Sequence, residues 1–395
     1  MDGEADVIVV GLGAAGSATL LALASRGVRC IGIDRFDPPH DRGSSHGRSR
    51  LIRLCYYEHP DYVPLLREAY RLWSELQSGT SLPVFRRTGG LYIGDAASPF
   101  VAGSLESARL HGLDHELLDR ASVLERFPQF VVRPREVGFY EPTTGVLFPE
   151  NAITATLARA RELGARIFAN ERVVNWRAER GEVRVRSGGR AWRARSLVLC
   201  AGPWMSSMLP RFERVATVTR QVLAWFRPRE STALGTPLFP AWAISEPDGS
   251  AHYGFPMFPP ERDGLVPGGA GFKVALHKPG EPSDPETVDR EVRAEEIRRL
   301  ADFVRERIPA GCDRDPDLLE SRVCLYTGTR DGHFLIDKHP EHANVVVVSA
   351  CSGHGFKFAP AMGAAAADLV VDGSSKLPIE FLSWRQGCSM LEGSD

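Results

Sequence analysis

The sequence predicts an α/β fold in which a domain built on a parallel sheet is interleaved with an α+β domain built on a largely antiparallel sheet. Three observations carry this. Short β-branched runs lie far apart along the chain, at Asp6 to Val10, Ser196 to Cys200 and Asn344 to Ala350. Each reads as a strand buried on both faces, the kind a parallel sheet contains. Between them, residues 84–144 and 217–275 hold short strand-like pieces rich in aromatics and prolines, which read as antiparallel. The expected division is therefore 1–83, 145–216 and 318–395 for one domain, and 84–144 and 217–317 for the other.

The elements follow in order. After the first strand come Gly11-Leu-Gly13-Ala-Ala-Gly16, a helix at Ser17 to Ser25 ended by Gly27, and a second strand at Val28 to Ile33 closed by Asp34. That is a βαβ start of Rossmann-like type. A loop dense in Arg, Ser and Gly runs from Asp41 to Arg50, and Asp61 to Gln77 has helical apolar spacing. Further helices are expected near Ser98 to His111 and at Asn151 to Leu163, then a strand at Arg166 to Phe168 and a hairpin over Val183 to Arg195. Asp289 to Ile308 reads as a charged amphipathic helix, and a small-residue helix follows the Gly-rich Ser352 to Lys357.

Composition bounds the function. The 395 residues are 43% hydrophobic and 25% charged, which fits a globular chain of about two domains. A net charge of −2 gives no global basic excess, so neither nucleic acid nor an anionic membrane is expected as a partner. The seven cysteines are scattered without a CxxC pair, so no metal site is expected and a reducing cytoplasm is. The start, MDGEAD, lacks the basic region of a secretory signal. Of 48 basic residues only five are lysines, at 273, 278, 338, 357 and 376. A lysine in a chain that defaults to arginine raises the question of whether that position needs an ammonium.

Four motifs carry chemistry. The glycines Gly11, Gly13 and Gly16 allow a tight turn and close approach of a pyrophosphate to a helix N-terminus, and Asp34 can accept hydrogen bonds from a ribose. The spacing alone does not separate FAD from NAD; a late return to a buried strand and a Gly-rich turn favours the longer FAD. The second motif, Gly43-Ser-Ser-His-Gly-Arg-Ser-Arg-Leu-Ile-Arg53, suits anionic groups or is a solvated basic loop. The third is Cys324-Leu-Tyr326; a lone cysteine is most often a small core residue. The fourth is Ser352-Gly-His-Gly-Phe-Lys357, where glycines let backbone approach a ligand.

Together and in this order, GSSHGRSRLIR, CLYT with DGHFLIDKHPEH, and SGHGFKF resemble the monomeric sarcosine oxidase family, which includes N-methyltryptophan and pipecolate oxidases. The resemblance covers nearly the whole chain. It implies an FAD-dependent oxidase of secondary amino acids that uses O2, yields H2O2 and works as a monomer. It also implies a covalent 8α-S-cysteinyl flavin on Cys324. Arg53 and Lys357 match the family's substrate-carboxylate ligands, and Lys273 matches its oxygen-activating lysine. His277, Tyr253 and Tyr326 match residues lining the substrate cavity. Arg50 and His46 match residues beside the flavin. The implied cofactor shell further takes in Arg35, Ser44, Ser45, Val173, Ala201, Gly202, Gly353, His354, Gly355 and Phe356. Ser45 and Arg48 stand where sarcosine enzymes carry histidine and aspartate, the Ser-Ser-His form resembling pipecolate oxidases, and the segment 257–271 is longer than the family's corresponding loop.

Overall fold

The structure is a computed structural model, and it describes residues 3–260, 269–313, 317–349 and 352–384. Most of the long segment before Lys273, residues 261–268, lies outside the described residues, as do Ala350 and Cys351.

Two large sheets organise the chain. The first has six strands in the order Arg166–Phe168, Cys30–Ile33, Val7–Val10, Ser196–Leu199, His342–Ser349 and Leu335–His339. The first five run parallel, and Leu335–His339 closes the edge antiparallel. Val7–Val10 and Cys30–Ile33 are buried at every position, as their unbroken apolar runs require. The helix Ala14–Ser25 covers this sheet. It begins three residues before the expected Ser17, because the turn after Val10 is only as long as the glycines need. Helices Pro149–Glu162 and Ala359–Val371 pack beside it.

The second sheet has eight strands: Leu318–Thr329, Ala216–Phe226, Phe272–His277, Ala251–Gly254, Ala241–Ser245, Gly90–Asp95, Glu136–Glu141 and Glu116–Leu118. Its neighbours are antiparallel except Ala241–Ser245 beside Gly90–Asp95. The stretch 318–329, assigned by sequence to the parallel-sheet domain, pairs along its length with Ala216–Phe226 in this sheet. The helix expected at Asp289 to Ile308 is shorter, Ala294–Arg307, and covers the far face with Ile297, Leu300 and Val304.

Register decides which residues face the first domain. Ala251 lies opposite His277, Tyr253 opposite Ala275 and Ala243, and Leu223 opposite Ala275 and Arg322. Trp225 lies opposite Lys273. Side chains alternate along a strand, so Lys273, Ala275 and His277 share a face with Tyr253, Cys324 and Tyr326. Three strands distant in sequence thus present one chemical surface.

Candidate active site

Two cavities meet at the junction of the two sheets. The larger, about 370 Å³, runs from the strand ends of the parallel sheet to Cys324. The smaller, about 80 Å³, continues from it. Arg50, Tyr253, Tyr326, Gly353 and Phe356 line both.

The glycine turn forms part of the wall of the larger cavity. Gly11 has φ of 87°, and a side chain there would meet the Cys200 carbonyl at 2.4 Å. At Gly16 a Cβ would lie 1.7 Å from the Gly11 carbonyl, so the helix can start this close to the strand only with glycine. Gly13 faces the cavity, and the Ala14 N–H donates to Ser45 Oγ at 3.1 Å. Asp34 accepts from the Leu12 N–H at 2.6 Å and the Phe36 N–H at 2.8 Å, which fixes the carboxylate at the cavity wall.

Most of the expected cofactor shell falls here. Arg35, Ser44, Val173, Ala201 and Gly202 line the larger cavity, as do Cys324 and Gly355. Gly16 supports it from behind. His354 and Lys357 line the smaller cavity instead. Arg35 forms an ion pair with Glu286, which lies in the connection before the helix Ala294–Arg307. The Cys324 thiol is buried, with Arg50 Nη2 3.7 Å from its sulfur. Arg50 is itself anchored on the Ser49 and Ser44 carbonyls, at 2.9 and 3.0 Å.

His46 and Lys273 line neither cavity. His46 is 1% exposed, and neither ring nitrogen has a partner among the described residues. Burial, then the neighbouring Arg50, Arg322 and Lys273, push its imidazole down to about 3, so it is neutral. Lys273 Nζ donates to the Gly47 carbonyl at 2.6 Å, the Ser49 carbonyl at 2.9 Å and Ser49 Oγ at 3.1 Å. Burial and then Arg50 hold its ammonium well below the usual lysine range. The loop presenting those carbonyls is pinned by Glu150, whose carboxylate accepts the Gly47 and Arg48 N–H groups at 2.8 and 3.1 Å. Gly47 and Arg48 both have positive φ. Glu150 was not expected at the site; an isolated glutamate opening a helix carries no sequence sign of it.

The smaller cavity holds the expected carboxylate ligands. Arg53 and Lys357 are 4% and 6% exposed, far below what unpaired surface cations show. Arg53 Nη2 lies 2.7 Å from Glu58 Oε2, a residue that sequence reading missed. Burial and then the Arg53 charge, opposed by Glu58, lower Lys357 to about 7. His277 Nδ1 is 3.3 Å from the Tyr326 hydroxyl. Burial lowers the His277 ring to about 4, so it is neutral in ordinary buffers. Tyr326 is raised well above the usual phenol range, again by burial. Neither phenol nor imidazole supplies a charged acid or base; the charges here are those of Arg53, Glu58 and, below about pH 7, Lys357.

A family profile described as FAD dependent oxidoreductase (DAO) matches residues 6–369. The chain belongs to this family. Within it, the chain is 40% identical over 377 residues to a monomeric sarcosine oxidase from Streptomyces avermitilis, covering 95% of each chain. It is 36% identical over 383 residues to a monomeric sarcosine oxidase from Bacillus sp. B-0618, covering 96% of this chain and 95% of the other. An N-methyl-L-tryptophan oxidase from Salmonella enteritidis is 33% identical, over 95% of this chain and 96% of the other. Among solved structures, an L-proline dehydrogenase from P. horikoshii superposes with a TM-score of 0.81 at 20% identity, over 98% of both chains, which shows the shared fold. The glycine turn, the cavity it lines and the fixed Asp34 fit the dinucleotide that an FAD-dependent oxidoreductase carries. Among the described residues no group of three His, Cys, Asp or Glu side chains could hold a metal ion. No described helix is long and apolar enough to cross a membrane.

Proposed function

We propose that this FAD-dependent oxidoreductase is an oxidase of small secondary amino acids, with sarcosine the leading substrate and O2 the electron acceptor. The observation that carries this reading is the small cavity that opens from the cofactor cavity and ends in two buried cations, Arg53 and Lys357. A guanidinium fork and an ammonium clamp one carboxylate and hold the amine toward the shared wall of Arg50, Tyr253 and Tyr326. The cations also favour a neutral amine, the form that can give up hydride. Relatives named sarcosine oxidase over 95% of their length support the substrate. So does size: about 80 Å³ suits an N-methyl or cyclic amino acid and is well below the ~300–1,000 Å³ of pockets for larger ligands, which speaks against an indole-bearing substrate.

A flavin held by the glycine turn, Asp34 and the wall around Cys324 would supply two-electron oxidation of the carbon–nitrogen bond of the clamped amino acid with O2 as the final acceptor, so that sarcosine, water and O2 would give glycine, formaldehyde and H2O2. Lys273, held in place by its hydrogen bonds to Gly47 and Ser49, is assigned to oxygen activation as a preorganised donor. Cys324, at the cavity wall with Arg50 against its sulfur, is assigned the 8α thioether. A monomer is the reading the relatives' names support, and buried unpaired cysteines fit a reducing cytoplasm. A panel of sarcosine, N-methylalanine, proline, pipecolate and N-methyltryptophan, read by peroxide release, tests the proposal. Peroxide with sarcosine or the cyclic acids supports it; turnover only with an added dye or quinone would make the protein a dehydrogenase.

A further inference from the structure

One ring touches both cations of the small cavity. The Arg53 guanidinium lies 4.6 Å from the Tyr56 ring centroid and Lys357 Nζ lies 5.0 Å from it. Two like charges held this close repel, and an aromatic face between or beside them offsets part of that. Tyr56 is fully buried and lies just behind the cavity wall.

Its hydroxyl belongs to a chain whose direction can be worked out. His354 Nε2 is 2.9 Å from the Gly332 carbonyl, which can only accept, so Nε2 carries a proton. Burial lowers His354 to about 3, so the ring is neutral and has one proton. Nδ1 is therefore an acceptor, and the Tyr56 hydroxyl, 2.5 Å away, donates to it. The Tyr56 oxygen is left with lone pairs only, and Lys357 Nζ donates to it at 3.4 Å. A second Lys357 proton goes to the His354 carbonyl at 2.8 Å. The third is free for the cavity.

We propose that Tyr56 and His354 are positioning residues for the carboxylate clamp: the Tyr56 ring holds Arg53 and Lys357 side by side, and His354 turns the Tyr56 hydroxyl so that its oxygen accepts from Lys357. The inference rests on the proposed clamp. Neither residue is asked to touch the reacting atoms; each acts through Lys357. The charged and titratable groups facing Lys357 are Arg53, Arg50, Glu58, His277, His354 and Tyr56.

The test uses holoenzyme variants with peroxide-coupled kinetics on sarcosine. Tyr56→Phe keeps the ring and removes the acceptor. It should raise KM about three- to tenfold, the worth of roughly one hydrogen bond, with kcat within about twofold. It should also move the alkaline rise of KM to lower pH, because an ammonium without its acceptor loses its proton more readily. His354→Leu should reproduce both effects. His354→Asn places an amide oxygen near the former Nδ1 and should restore KM toward the parent value. The two His354 variants keep the test alive if Tyr56→Phe does not fold. An unchanged KM in Tyr56→Phe and His354→Leu overturns the inference, as does an equal loss in kcat and KM with an unshifted pH profile. Lys357→Met separates the two levels: if it leaves KM unchanged the clamp itself is wrong, whereas a raised KM there with a normal KM in Tyr56→Phe defeats only the positioning role.

Discussion

Glu58 Oε2 lies 2.7 Å from Arg53 Nη2, so the guanidinium proposed to grip a substrate carboxylate already grips one from its own chain. The arrangement solves a physical problem. A buried arginine without a counter-charge is costly, and Glu58 supplies it. Arg53 in turn, working against burial, holds the Glu58 carboxyl below the usual range. An arriving amino acid must displace Glu58 or share its fork.

Glu58→Gln should therefore lower KM for sarcosine several-fold, because the internal competitor loses its charge. The same change should lower stability, by less than the ~3–5 kcal/mol of a fully buried pair, since the Glu58 side chain keeps 15% exposure. Kinetics and thermal melting on one preparation check both signs. A raised KM with unchanged melting would make Glu58 a substrate ligand instead.

Lys357 predicts a pH dependence. Its ammonium is held at about 7, so the clamp has both cations below that pH and loses one as pH rises through it. A simple carboxylate such as propionate, which has no amine to titrate, should bind roughly tenfold more weakly at pH 8.5 than at pH 6, in line with one charge-assisted hydrogen bond of ~1.5–3 kcal/mol partly lost. Perturbation of the flavin spectrum measures it. His277, neutral above about 4, should add no limb over the same range.

For the cysteinyl link, acid precipitation of the parent protein should carry the yellow colour into the pellet, and Cys324→Ser should release it to the supernatant. Colour in the supernatant from the parent protein would remove the covalent assignment.

Lys273 lies behind the Gly47–Ser49 backbone, with three acceptors on Nζ. Replacing it by methionine should slow flavin reoxidation by roughly 10²-fold, the scale of one lost preorganised hydrogen-bond donor, and slow reduction by substrate far less. Stopped-flow measurement of the two half-reactions separates these. Equal slowing of both would assign Lys273 a structural role in holding the loop.

Local backbone demands were legible in the sequence. The glycine spacing placed the turn and the β-branched runs placed the buried strands; the scarcity of lysine marked five positions, of which the family resemblance chose Lys273 and Lys357, the two that are buried. Lys278 instead pairs with exposed Asp248, and Lys338 reaches the Gly373 carbonyl at the surface. What sequence could not show was partnership across the fold. Glu58 and Glu150 are ordinary glutamates until tertiary structure sets them against Arg53 and the Gly47 loop. Likewise, Leu318–Thr329 joins the eight-stranded sheet through a partner about a hundred residues earlier, which no local pattern encodes. The short helix Arg120–Arg126 was hidden for a related reason: at seven residues its periodicity is too brief to stand out.

The central claim is that a small secondary amino acid, clamped by Arg53 and Lys357, reduces a flavin that O2 then reoxidises. Anaerobic addition of sarcosine to the holoprotein, followed by air, tests it most directly. The account predicts bleaching of the yellow band, its return with O2, and one H2O2 per flavin, with bleaching at low sarcosine lost in Arg53→Ala. No bleaching with any secondary amino acid of the panel, or equal bleaching of Arg53→Ala at every concentration, would contradict it.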